Sequence, residues 1–211
     1  YKLQEIDHKF KIFKNGIWKR AENRGYELKG KTIGLIGYGV MGKAFAERLR
    51  GFGVNLIAYD KYKKNYGDEI TKEVTLNFLL KKADIVSIHT NYLPENKYLI
   101  DSNFIKKMTK PFVIINTARG FNLNTQHLVD GLKSGKILGA CLDVLEHEST
   151  SFESVSELKN NIELEYLKQS SNVILSPHIA GWTHESYFKL SNILAEKIEE
   201  WANLEELKSE N

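Results

Sequence analysis

Residues 28–60 confine this chain to one kind of architecture. Thr32 to Ile36 is an apolar run of strand length between Gly30 and Gly37, which reads as a buried strand. Val40, Met41, Ala44, Phe45 and Leu49 then recur at helical spacing, Gly51 and Gly53 close that run near Phe52, and Asn55 to Tyr59 is a second strand. The unit is β-α-β. Between first strand and helix lie Gly37, Tyr38, Gly39, Val40, Met41 and Gly42, the pattern G-x-G-x-x-G. Gly37 permits a tight turn, Gly39 lets a pyrophosphate approach backbone N–H groups, and Gly42 lets helix and strand pack closely. A phosphate placed there meets the positive end of a helix. Alone the hexapeptide says little, because glycines also gather in ordinary turns. Asp60 makes it specific, since it ends the second strand about 20 residues on, where a carboxylate accepts hydrogen bonds from an adenosine ribose. The same carboxylate repels a 2′-phosphate, so NAD is expected over NADP, with Lys61, Lys63 and Lys64 close enough to soften the preference.

The rhythm continues downstream. A loop over 61–68 and a short amphipathic helix over 75–83 lead into a strand from Asp84 to His89. Helix Ser102 to Met108 precedes strand Phe112 to Ile115, and helix Thr125 to Leu132, closed by Gly135, precedes strand Ile137 to Leu142. Val173 to Leu175 is a sixth strand, and an amphipathic helix runs from His184 to about Leu207. Such alternation places the chain in the α/β class, as a doubly wound Rossmann fold with a parallel sheet and helices on both faces. Sheets of this kind bind ligands outside the carboxyl ends of their strands. Arg119 follows the fourth strand, Asp143 and then Glu148 the fifth, and His178 the sixth. Singly, each is unremarkable: strand-end Arg and Glu usually form surface ion pairs, and a lone His is usually structural. Together they suit oxidation of a carbinol to a carbonyl. His178 would take the hydroxyl proton, and Glu148 would orient the imidazole and favour its protonated form. Arg119 offers a planar fork of donors matched to a carboxylate.

Composition excludes other classes. Lysine and arginine number 30 against 27 acidic residues, with no dense basic block, so nucleic acid is not expected as a partner. No apolar run reaches the ~18 residues of a membrane span, the first ten residues are too polar for a signal peptide, and no metal site is expected. A single cysteine, Cys141, cannot form an internal disulfide, which suits a reducing cytoplasm. Tyr1, Leu3, Ile6, Phe10 and Phe13 make a helical apolar face from the first residue, as though the chain were picked up inside a helix.

The motifs GLIGYGVMG, ADIVSIHT, NTARG, LKSGKILGACLDVLEHE and SPHIAGWTHES together resemble the NAD-binding domain of the D-isomer-specific 2-hydroxyacid dehydrogenases. That resemblance implies hydride transfer between NAD and a small 2-hydroxy or 2-keto acid. It makes Arg119, Glu148 and His178 the catalytic trio, the Glu being the one five places after Asp143 rather than Glu146. Val40, Met41, Asp60, Thr90, Thr117 and Ala118 would line the cofactor beside Gly37, Gly39 and Gly42, and so would Arg119, Asp143, His178, Ala180 and Gly181. It also implies a homodimer and a substrate lobe ahead of this domain. Residues 1–27 would then be the end of an interlobe helix and a linker, 28–183 the NAD-binding domain, and 184–211 a helix returning toward that lobe. GWTHES, HT and LDVLEHE look most like D-3-phosphoglycerate dehydrogenases, with D-lactate and glyoxylate or hydroxypyruvate enzymes as alternatives. NAD-sensing corepressors share the fold, while a methyltransferase would share only the glycine loop and the strand-end acid. Two stretches depart from the family pattern: Asn91, Tyr92 and Leu93 replace Pro-Leu-Thr, and Phe121, Asn122, Leu123 and Asn124 replace Gly-Leu-Val-Asp. Residues 149–171 read as a helical surface insertion.

Overall fold

The computed structural model describes residues 25–146 and 161–209, with side chains as far as Asn203. Glu148, the apolar face of residues 1–13 and the first part of the insertion lie outside the described residues. The chain divides into two compact units between Ser176 and Pro177.

The first unit is a seven-stranded sheet in the order β3-β2-β1-β4-β5-β6-β7, parallel throughout. Its strands are β1 (Thr32–Ile36), β2 (Asn55–Tyr59), β3 (Thr71–Glu73), β4 (Ile85–Ile88), β5 (Phe112–Asn116), β6 (Ile137–Leu142) and β7 (Val173–Leu175). Between them run α1 (Val40–Arg48), α2 (Leu76–Lys82), α3 (Ser102–Lys107), α4 (Thr125–Lys133) and α5 (Ile162–Gln169). Because strand side chains alternate between faces, β1 serves two cores at once. Ile33 and Leu35 pack with Tyr38, Ala46, Leu56 and Tyr66 on one face. On the other, Ile36 joins Leu79 and Val86 in the larger core, and Gly34 lies so close to α2 that a Cβ there would stand 2.8 Å from Leu79 Cγ. Short helices start where side-chain caps satisfy their first N–H groups: Thr75, Asp101, Asn124 and Asn161 accept from Phe78, Phe104, His127 and Leu164.

The structure departs from the sequence expectation at two places. A seventh strand, β3, extends the sheet beyond β2; it is three residues long and only Thr71 is buried, so no apolar run announces it. Within the expected surface insertion, α5 buries Leu164 and Leu167, and Leu167 belongs to the main core. Ile162, Leu164 and Leu167 are too few to stand out from the acidic residues between them.

The second unit is dominated by α6 (His184–Ser209). It opens on a reciprocal cap: the Thr183 hydroxyl accepts from Ser186 N–H at 3.0 Å, and Thr183 N–H donates to Ser186 Oγ at 3.1 Å. Among the described residues no helix is long and apolar enough to cross a membrane.

Candidate functional site

In the first unit β1 lies between β2 and β4, so the chain runs outward from β1 in both directions. A crevice forms at such a switch point, beyond the strand ends. A cavity of about 480 Å³ occupies it, lined by Gly37, Gly39, Asp60 and Thr90 together with Tyr62 and Glu95, within the range of small-molecule sites.

Each glycine of the turn has a separate physical reason. Gly37 adopts φ +91°, and a Cβ there would lie 2.6 Å from His89 O; at Gly42 it would lie 2.4 Å from Gly37 O. Gly39 is the opposite case, with nothing within 4 Å of its would-be Cβ among the described residues. It caps α1 without a side-chain hydrogen bond, so the first-turn N–H groups face open space. Val40 and Met41, at the start of α1 and expected beside the cofactor, are 85% and 69% exposed; the same helix buries Gly42 and Ala46 and packs Phe45 and Leu49 against the core.

Asp60 is held by its surroundings. Its Oδ2 accepts from Tyr38 N–H at 2.9 Å and its Oδ1 from Tyr62 and Lys63 N–H at 3.0 Å each. Burial pushes this carboxyl upward, but those three donors and the Lys63 ammonium outweigh it and hold it below the usual range. An ionised carboxylate has about four acceptor positions, and three are used. One remains, on Oδ2. The loop beyond is anchored by two buried tyrosines that sequence reasoning missed. Tyr66 Oη accepts from Asp60 N–H at 2.8 Å and donates to Ala58 O at 2.9 Å, while Tyr38 Oη donates to Asp68 at 2.7 Å. Burial, with Asp68 beside it, pushes the Tyr38 phenol up to about 12. Tyr62 Oη donates to Glu95 at 2.6 Å, tying this loop to the one after β4.

Arg119 follows β5 on a turn shaped by fully buried Asn116, whose Oδ1 accepts from Ala118 N–H at 3.1 Å and whose Nδ2 donates to Arg119 O at 3.0 Å. Thr117 and Arg119 are exposed and Ala118 is buried. Asp143 is buried and accepts from Ser176 Oγ at 2.6 Å. The nearer acid, Glu146, has structural work: it accepts from Tyr98 Oη and, at 2.8 Å, from Thr125 N–H. His178, Ala180 and Gly181 belong to the second unit. Among the described residues His178 is one of three non-glycine residues with left-handed backbone, φ 55°.

The D-isomer specific 2-hydroxyacid dehydrogenase NAD-binding domain matches residues 2–180. The chain belongs to that family. It is 34% identical over 194 residues to a glyoxylate reductase of Thermococcus litoralis, covering 88% of this chain and 55% of that protein. To a hydroxypyruvate reductase of Thermotoga maritima it is 36% identical over 185 residues, covering 88% and 57%. Among solved structures, the D-lactate dehydrogenase of Aquifex aeolicus complexed with NAD and lactic acid superposes with a TM-score of 0.79 at 29% identity, over 95% of this chain and 61% of that one. The chain thus spans little more than half the length of the curated relatives named here.

The cofactor of this family's domain is NAD, and the residues present fit it. Among the described residues, Gly39 leaves room for the pyrophosphate beside first-turn helix N–H groups, and Asp60 keeps one acceptor position for a ribose hydroxyl.

His89, overlooked in the sequence, lines the same cavity. Its ring packs on Phe45 at 5.0 Å and its Nε2 lies 3.0 Å from Ser87 Oγ. Burial pushes the imidazole down to about 4. Between that value and the ordinary 6.5 the unfolded chain binds a proton that the folded chain does not. Stability therefore falls as pH drops through this window, by about 3 kcal/mol at pH 4. Urea midpoints at pH 7 and pH 4.5 should differ less in His89→Gln than in the parent; equal differences would contradict this.

Proposed function

We propose that this chain is the cofactor-binding part of an enzyme that interconverts a D-2-hydroxy acid and its 2-keto acid. The observation that carries this reading is the Gly39 and Asp60 geometry at the β1 switch point, in a chain whose family match runs to residue 180, past His178. Bound NAD supplies the acceptor for the hydride leaving the carbinol carbon. Everything else falls to the protein. Arg119 binds the substrate carboxylate and polarises the neighbouring oxygen. His178 takes the hydroxyl proton in oxidation and returns it in reduction, with Glu148 orienting the imidazole. The left-handed backbone of His178 costs of order 1–3 kcal/mol, a strain that persists where function needs a side chain aimed.

For the substrate, GWTHES and LDVLEHE favour the phosphorylated acid of D-3-phosphoglycerate dehydrogenases. The names of similar proteins, glyoxylate and hydroxypyruvate reductases, define the competing arms. Residues 28–183 would form the cofactor domain and α6 would lead back toward a substrate lobe, with two copies forming the working dimer in the cytoplasm.

The test is a keto-acid panel with NADH on the complete gene product: glyoxylate, pyruvate, hydroxypyruvate and 3-phosphohydroxypyruvate. At least one should be reduced, and His178→Ala should lower its turnover by about 10²–10⁴-fold while NADH still binds. Parental turnover in the variant would remove His178 from its role. Firm NADH binding with no acid reduced would favour an NADH-sensing protein instead.

A further inference from the structure

The two stretches that depart from the family pattern lie about 30 residues apart in sequence, and the structure joins them. The rings of Tyr92 and Phe121 meet at 4.5 Å. Tyr98 N–H donates to Phe121 O at 2.9 Å, Ile100 N–H to Asn122 O at 2.9 Å, and Asn124 N–H to Ile100 O at 3.1 Å. At the centre is Asn122, fully buried where the family pattern has a leucine. Its Nδ2 donates to Thr90 Oγ1, its backbone N–H donates to Arg119 O at 3.2 Å, and its Oδ1 has no partner among the described residues. An amide in place of an apolar side chain, left half-satisfied in a core, is destabilising. An amide at this place calls for a use.

We propose that Asn122 is a positioning residue for the dinucleotide, acting through Thr90; this rests on the NAD reading above. A hydroxyl has one hydrogen to give. With its oxygen engaged by Asn122 Nδ2, Thr90 must direct that hydrogen elsewhere, and Thr90 lines the cavity. The hydrogen is then presented to an acceptor oxygen of the bound dinucleotide. Because the Asn122 backbone also holds the Arg119 turn, one residue links the cofactor wall to the carboxylate clamp. Without the amide, the Thr90 hydroxyl rotates freely and the contact weakens.

The test is a double-mutant cycle in NADH affinity, read by fluorescence titration of this chain, with thermal midpoints for every variant. Thr90→Val should weaken NADH binding about tenfold, the value of one hydrogen bond to a charged acceptor. Asn122→Leu should weaken it several-fold in the parent and not at all in the Thr90→Val background, whatever it does to the midpoint. Should Asn122→Leu not fold, Asn122→Asp carries the same cycle, because a carboxylate can only accept, takes the Thr90 hydrogen for itself and also weakens NADH. Equal losses in both backgrounds, or a parental affinity in Asn122→Leu or Asn122→Asp, would overturn the proposal. A parent that binds no NADH overturns the cofactor reading first, and is a different result from a binding parent with an indifferent Asn122.

Discussion

Gly120→Ala is expected to destabilise the protein by at least about 3 kcal/mol, the upper part of the range for inserting a group into a packed region. A Cβ on Gly120 would lie 1.8 Å from Leu145 O and 2.1 Å from Leu145 C, distances no rotamer change can relieve because both partners are backbone. Nor can that backbone easily retreat. The next residue, Glu146, is tied to Tyr98 and to the first turn of α4, and Val144 is buried. For a chain of this size the loss corresponds to a fall in melting temperature of about 6–12 °C. Thermal or urea unfolding measures it directly, and a change below about 1 kcal/mol would mean that the turn carrying Arg119 is not packed as described. The glycine-rich turn after β1 shows why such a contact is diagnostic: Gly37 and Gly42 also leave no room for a Cβ, but Gly39 does.

Gly39→Asp should separate binding from folding, with opposite signs. Gly39 has φ −82° and ψ −160°, ordinary extended backbone for a residue that caps a helix, and Asp is among the preferred caps. Its carboxylate would accept the first-turn N–H groups of α1 and benefit from the helix dipole. Stability should stay level or rise by a few tenths of a kcal/mol. The N–H groups that would meet the pyrophosphate are then occupied, and a negative charge stands where two more must approach. Loss of two charge-assisted hydrogen bonds at about 1.5–3 kcal/mol each corresponds to a drop in NADH affinity of 100-fold or more. A variant that melts with the parent yet binds NADH as the parent does would displace the phosphates from this helix end.

Most of the framework was legible because it is written in local pattern. Apolar runs bounded by Gly30, Gly37 and Gly53 announce β1 and β2, and the strand ends point to Asp60 and Arg119 before any coordinates. What escaped is of a different kind. The strand β3 is paired through its backbone to β2 and needs little side-chain burial, so Thr71, Lys72 and Glu73 leave no apolar signature. Tyr38 and Asp68 are 30 residues apart, as far as Thr90 and Asn122 are in order of magnitude, and contacts over such separations have no periodicity to read. His89 looks like any strand-end histidine until its burial against Phe45 is known. Val40 and Met41 are apolar residues at helical spacing, yet both are exposed, so spacing alone does not separate a buried position from one at an open helix end.

The adenosine end of the site carries the whole reading, since Asp60 is the residue that distinguishes a nucleotide crevice from a glycine-rich turn. Lys63 donates to Tyr38 O at 3.2 Å and its charge also acts on Asp60, so the preference for NADH turns on how far that ammonium offsets the repulsion of a 2′-phosphate by the carboxylate. The most direct measurement is therefore a paired titration of this chain with NADH and with NADPH under identical salt. Saturable one-to-one binding of NADH, with NADPH weaker by at least about tenfold, is the expected result. NADPH binding as tightly as NADH, or no saturable binding of either, would contradict it.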